Sequence, residues 1–175
     1  MDLALYIRNV PDFPKPGIQF KDITTLLLHP EAFREVIRRL EEHCRADPPD
    51  AVAAIDARGF VFGAALCHAM NLPLVLVRKK GKLPADTVSA TYELEYGTET
   101  IEMHRDALGP GQRVLIIDDL LATGGTVAAA ADLVRQLGAS VQEAAFVVEL
   151  PPLKGRERLA AMNIPVFSLV TFMVE

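Results

Sequence analysis

Cysteine is scarce: Cys44 and Cys67 are the only two in 175 residues, and they do not stand in a CxxC spacing. That argues against a disulfide scaffold or a zinc site, and both thiols, falling in candidate helices, read as structural or surface groups. The four histidines, His29, His43, His68 and His104, are scattered without metal-ligand spacing. No apolar run approaches the length needed to cross a bilayer. The N-terminus carries an acid at Asp2 and lacks a basic flank leading into a continuous apolar core, so a cytoplasmic location is expected. Positive charge is also short. Eighteen Lys and Arg stand against 23 Asp and Glu, a net charge of −5, and affinity for a nucleic-acid backbone needs a basic surface. Neither a lysine after a Walker-type glycine run nor a GxGxxG occurs, which weakens nucleoside triphosphate and dinucleotide readings. Low-complexity segments and internal repeats are missing too.

What the chain does have is a globular composition, half apolar and 23% charged, at a length suited to one well-buried core. One domain over residues 1–175, with one elaborated loop, is expected. Residues up to about 10 suggest a short helix. Three prolines and a glycine within residues 11–17 then forbid regular structure, and residues 18–25 alternate as a short extended piece. Phe20 and Lys21 there either face a ligand or make a satellite contact beneath a loop. Residues 30–46 form an amphipathic helix opened by Pro30. Residues 51–55 read as a buried strand, 60–70 as a helix apolar on most faces, and 74–77 as another buried strand.

Arg58 follows the first of these strands and Arg78-Lys79-Lys80-Gly81-Lys82 the second. Each is either an ordinary solvated charge or, from its place at a strand's carboxyl end, an anion site. From 83 to 103 the pattern turns extended around Tyr96-Gly97-Thr98, as in a β-hairpin or mobile flap. Its acids Glu93, Glu95, Glu99 and Glu102 read mostly as exposed charges. After Pro110-Gly111 come a strand, a helix stopping at Gly138, a strand over 141–150, a short helix over 153–161 and a closing strand over 166–174. Repeated strand–helix alternation predicts a mostly parallel α/β sheet flanked by helices, with the site on the edge where Arg58, Lys79 to Lys82 and Asp118 to Thr126 gather.

The most informative stretch is Arg113-Val114-Leu115-Ile116-Ile117-Asp118-Asp119-Leu120-Leu121-Ala122-Thr123-Gly124-Gly125-Thr126. Read physically, it is a buried strand that ends in paired acids and opens into a helix N-terminus. Amide N–H groups, the helix dipole and threonine hydroxyls attract phosphate, and carboxylates accept bonds from vicinal hydroxyls. Adjacent carboxylates on a strand point to opposite faces, but at a frayed end both can turn to one ligand. A ribose 5-phosphate fits; the alternative is a helix capped by Thr123 with incidental acids.

Residues 114–126 closely resemble the phosphoribosyl pyrophosphate motif of type I phosphoribosyltransferases, in the version found in the adenine-specific family. The resemblance covers almost the whole chain, since residues 13–23, 56–60, 78–84, 92–97 and 153–157 look like that family's segments, in order. It implies a type I fold, a sheet flanked by helices with a flap over 79–103 and a small N-terminal hood over 1–28. It also implies transfer of a phosphoribosyl group from phosphoribosyl pyrophosphate to adenine, giving AMP and pyrophosphate. Mg2+ would bridge substrate oxygens with few direct protein ligands. Asp118 and Asp119 would grip the ribose hydroxyls, and Ala122, Thr123, Gly124, Gly125 and Thr126 the 5-phosphate. Arg58, Lys79 and Lys82 would bind pyrophosphate. Phe20 would stack on the purine, with backbone groups near Gln19 and Lys21 reading its amino group. Some family members carry arginine where Lys21 stands, so its side-chain role stays open. Glu95, by its place in the Tyr-x-Leu-Glu-Tyr segment, would be the acid/base at the purine. The resemblance suggests a homodimer, with residues 58–62 and the basic run near its interface; a strained or cis peptide beside Ala57 is a further expectation. Two other readings are a regulator that senses these ligands without turnover, against which no DNA-binding extension is visible, and an enzyme of the same type acting on hypoxanthine, guanine or xanthine.

Overall fold

Strand β3 (Ala51–Ile55) has no polar side chain and is buried at every position, as a strand covered on both faces must be. Ala51, Ala53 and Ile55 join one core, beneath helix α4 (Gly125–Gln136). Val52 and Ala54 join a second, beneath α2 (Pro30–Ala46) and α3 (Arg58–Met70). The computed structural model describes residues 1–94 and 96–173. Among them, β3, β4 (Leu74–Lys79), β5 (Thr87–Glu93), β6 (Thr98–His104), β7 (Arg113–Leu121), β8 (Ser140–Glu149) and β9 (Val166–Thr171) form one sheet in the order β5-β6-β4-β3-β7-β8-β9. The β4-β3-β7-β8-β9 portion is parallel, and the β5–β6 hairpin joins β4 antiparallel. The expected α/β type I architecture is therefore present.

Chain direction decides where the site lies. From β3 the chain crosses over α3 to β4 on one side, while β7, on the other side of β3, leads over α4 to β8. Strand order reverses between β3 and β7, and the crevice outside the carboxyl ends at such a point is where open α/β sheets bind ligands. Close packing holds the crevice walls. A Cβ on Gly63 of α3 would stand 2.6 Å from the Ala54 Cβ, and one on Gly59 2.9 Å from the Ile117 carbonyl oxygen.

Several boundaries differ from expectation. Residues up to 10 are not one helix: a 3-10 turn over Leu3–Tyr6 is followed by β1 (Arg8–Pro11), which pairs antiparallel with β2 (Gln19–Asp22). Strand pairing across the proline loop overrides the local helical pattern there. Arg78 and Lys79 belong to β4 because they pair with Glu102 and Ile101 of β6. The helix expected over 153–161 is divided: Pro151–Leu153 is a 3-10 turn, Lys154 takes φ 60, and α5 (Gly155–Ala161) begins after it. The last strand stops at Thr171, and Val174 lies outside the described residues. Cys44 and Cys67 are buried and unpaired. A short helix α1 (Thr24–Leu27) leads into α2, and no helix among the described residues is long and apolar enough to cross a membrane.

Candidate active site

The β7–α4 junction is built as its sequence suggests, with one change. Asp118 and Asp119 are not at a frayed end, since the ladder to β8 continues through Leu121. What lapses is the facing of side chains. Val114 and Ile116 belong to the α4-side core and Leu115 and Ile117 to the other, yet Leu121 falls in the α4-side core and Leu120 packs against the other. The two acids sit where this alternation turns over. Asp118 lines a cavity of about 180 Å3 together with Leu120, Leu121 and residues 122–127, while Asp119, almost fully buried, is ion-paired with Arg58 Nε. Burial, and then the charge of Asp119, pushes the Asp118 carboxyl well above the usual carboxylate range; its Oδ1 accepts a 2.8 Å bond from the Asp119 amide.

Gly124, at φ +80, is the N-cap residue of α4, and no side chain caps that end. Thr123 is therefore not the cap, and the first-turn amides of α4 are left to the cavity in front of them. The loop is backed by α5: a Cβ on Gly155 would stand 2.3 Å from the Ala122 carbonyl oxygen. Arg156 secures α5 by donating to the buried Glu149 through Nε at 2.8 Å and Nη2 at 2.5 Å, and Ser168 donates to the same carboxylate at 2.5 Å.

On the β3 side the Asp56–Ala57 peptide is cis, as expected, and Arg58 opens α3. Its guanidinium carbon lies 5.8 Å from the centre of the Phe20 ring. Phe20 meets Phe13 edge to face at 5.1 Å and lines a second cavity, about 270 Å3, with Val10, Phe13, Asp22 and Thr24. Gln19 and Lys21 alternate away from Phe20, and Asn9 joins them. Its amide donates to Gln19 Oε1 at 2.7 Å, and Lys21 Nζ donates to Asn9 Oδ1 at 2.9 Å while standing 4.5 Å over the Phe172 ring. The Lys21 side chain is thus committed within the protein.

The basic run divides. Arg78 Nε donates to Asp56 at 2.9 Å and its Nη1 to the Lys82 carbonyl at 3.4 Å, while Lys79 Nζ is 2.7 Å from Glu99 Oε1. Lys82 has no ion pair among the described residues. Two flap acids are not the simple exposed charges expected: Glu102 is buried and accepts from the Gly81 amide at 3.0 Å, and Glu99 accepts from Tyr92 at 3.0 Å as well as holding Lys79. Tyr92 also stands against the loop, its Cδ2 3.5 Å from where a Cβ on Gly125 would be, so a chain of contacts runs from the 122–126 loop to Lys79. Glu95 lies outside the described residues. Sequence reasoning gave Arg78 no role beyond membership of the basic run and missed Tyr92, Glu99 and the Glu149–Arg156 pair; only the hairpin register, with Tyr92 opposite Glu99, was open to deduction from the turn at Gly97.

A glycine-rich helix start, two adjacent carboxylates and a cation facing them meet across a switch point, an arrangement whose donors and acceptors suit a phosphosugar. A phosphoribosyl transferase domain model matches residues 22–170, and the chain belongs to that family. Its relatives there are adenine phosphoribosyltransferases. The one from Chloroflexus aurantiacus is 58% identical, with 98% of each chain covered. A crystal structure of the Thermoanaerobacter pseudethanolicus enzyme superposes with TM-score 0.94 at 48% identity, covering 98% of both chains. The Saccharomyces cerevisiae enzyme, crystallised with adenine and an imino-altritol bisphosphate, superposes with TM-score 0.90 at 42% identity over 96% of each chain.

Proposed function

We propose that this protein transfers the 5-phosphoribosyl group of phosphoribosyl pyrophosphate to adenine, giving AMP and pyrophosphate in purine salvage. The observation that carries the reading is the uncapped α4 N-terminus at the switch point, with Asp118 on its cavity wall and Asp119 paired to Arg58. Adenine as the base is supported by the relatives, among them a yeast enzyme crystallised with adenine.

In this reaction the bond from ribose C1 to pyrophosphate breaks and a bond from adenine N9 to C1 forms, through a C1 that is cationic in the transition state. Groups that stabilise that cation and the departing anion together are what accelerate it. On this reading the 122–126 loop holds the 5-phosphate, Asp118 and Asp119 grip the ribose hydroxyls and set negative charge beside C1, and Arg58, Lys79 and Lys82 take the pyrophosphate. Phe20 stacks on the purine, backbone groups near Gln19 and Lys21 read its edge, and Glu95 takes the N9 proton. The donors on this edge, two carboxylates with loop carbonyls and hydroxyls, suit a hard cation such as Mg2+. Held mainly by substrate oxygens beside Asp118 and Asp119, it would supply neutralisation of the pyrophosphate charge.

The same reading takes residues 1–175 as one domain, with residues 1–28 as a hood and 79–103 as a flap that closes to exclude water. It places the protein in the cytoplasm. It also takes the protein as a homodimer: Val61, Leu74 and Leu76 are more than a third exposed next to Arg58 and β4, an apolar face that a second copy would cover. The test is competition. Purified protein given phosphoribosyl pyrophosphate, Mg2+ and equal adenine, hypoxanthine, guanine and xanthine should form AMP first; no AMP, or preference for another base, would overturn the reading.

A further inference from the structure

Residues 122–126 contain no cation, although a phosphate monoester carries close to two negative charges near neutral pH. The α4 N-terminus offers amide donors and a dipole worth roughly half a charge. The rest must come from elsewhere in the chain, and one guanidinium lies over the loop. A Cβ on Gly125 would stand 3.4 Å from Arg158 Nη1 and 3.9 Å from its Cζ, and one on Gly124 would stand 3.6 Å from its Cδ. The Arg158 side chain therefore runs across both glycines, and the absence of side chains there brings it against the backbone whose amides face the cavity. Tyr92 also approaches there, its Cδ2 3.5 Å from the same point above Gly125.

Three other arginines on this edge are already engaged. Arg156, two residues earlier on α5, is bound to Glu149, Arg58 to Asp119, and Arg78 to Asp56. Among the described residues no carboxylate pairs with Arg158, and it is solvent-exposed. The backbone that carries it is nevertheless held in place, because Gly155 seats α5 directly on the Ala122 carbonyl. We propose that Arg158 binds the 5-phosphate of the ribosyl substrate, closing the phosphate subsite from the α5 side with a planar, always-charged fork suited to phosphate oxygens. The proposal rests on the reading of the 122–126 loop given above and adds to it a residue 32 positions beyond Thr126 in the sequence.

Ribose 5-phosphate and pyrophosphate are the probes, titrated calorimetrically into the full-length protein with Mg2+. Arg158→Ala should weaken ribose 5-phosphate about tenfold, the loss expected for one charge-assisted contact at an open site, and leave pyrophosphate within about twofold. Arg158→Lys should recover part of the loss and Arg158→Gln none, since charge rather than side-chain volume is at stake. Unchanged ribose 5-phosphate affinity in both the Ala and Gln variants overturns the role of Arg158 while leaving the site's reading intact. Equal weakening of both ligands also overturns it, by showing a general disturbance of the fold. Wild-type protein that binds neither ligand overturns the reading of the site and this proposal with it.

Discussion

Glu99→Gln should tighten the binding of pyrophosphate. Lys79, the cation assigned to that ligand, has its ammonium 2.7 Å from Glu99 Oε1. The Glu99 hydrogen bond raises the Lys79 pKa, and the Lys79 bond lowers that of Glu99. While that carboxylate is charged, Lys79 shares its charge between Glu99 and any phosphate it meets. Glutamine keeps an oxygen to accept from Tyr92 and removes the competing charge. The side chains are 64% and 24% exposed, so the pair belongs with surface ion pairs, worth about 0.2–1 kcal/mol. Converted to affinity, that is between about 1.4-fold and fivefold tighter pyrophosphate. Calorimetric titration at low ionic strength reads the effect directly, and added salt should shrink it. A Lys79→Ala background separates the two ways Glu99 acts: if the route is through Lys79, Glu99→Gln should change little there. Pyrophosphate bound equally or more weakly by Glu99→Gln in the otherwise native protein would refute the reasoning.

Four further outcomes are expected. Gly155→Ala puts a Cβ 2.3 Å from the Ala122 carbonyl oxygen, so one of the two backbones must shift; it should cost about 1–3 kcal/mol in denaturant titration and weaken ribose 5-phosphate binding as α5 is pushed off the loop. Glu149→Gln leaves Arg156 and Ser168 with a neutral partner at a 2% exposed site, for about 2 kcal/mol of stability, seen as a lower Tm. The β1–β2 pair has its own pH signature. The Arg8 hydrogen bond, with the Thr24 amide, holds Asp22 at about 2 instead of 3.8, so its contribution is whole above about pH 4 and is lost as pH falls toward 2. Tm measured across that window should fall less steeply in Asp22→Asn. Asp118→Asn should lower kcat/KM on the order of a hundredfold with ribose 5-phosphate affinity changed far less, which steady-state kinetics beside calorimetry would separate.

The elements readable from sequence were those whose burial is complete or strictly periodic. The all-apolar run of β3 and the amphipathic α2 begin and end as their residues indicate. The gathering of Arg58 with Asp119 at one sheet edge followed from strand–helix alternation alone. What escaped depends on pairing between distant segments. Strand β1 exists because Asn9 and Val10 find Lys21 and Phe20 across a loop that looks irregular. Glu102 is buried because β6 pairs with β4 and brings the Gly81 amide to it. Arg158 reaches the loop only because Gly155 permits contact between backbones, and nothing in the spacing of residues 153–161 signals that.

The raised pKa of Asp118 gives the paired acids a role beyond holding hydroxyls. Burial and the Asp119 charge both make an Asp118 carboxylate costly, whereas Asp119 is already offset by Arg58. A cation appearing beside the pair is therefore worth more to Asp118 than to Asp119. On the proposed reaction the cation at C1, unlike a Mg2+ held by the substrate, exists only while C1 is between its two partners, so its stabilisation arises in the transition state and not with the bound substrate, which is the condition for raising kcat instead of only lowering KM. Arg58 works in the same direction. On the same proposal, pyrophosphate leaving toward Arg58 would draw that guanidinium's hydrogen bonding away from Asp119, leaving the second carboxylate's charge less compensated and available to C1 as the bond to the leaving group breaks. One ion pair thereby links departure of the anion to stabilisation of the cation.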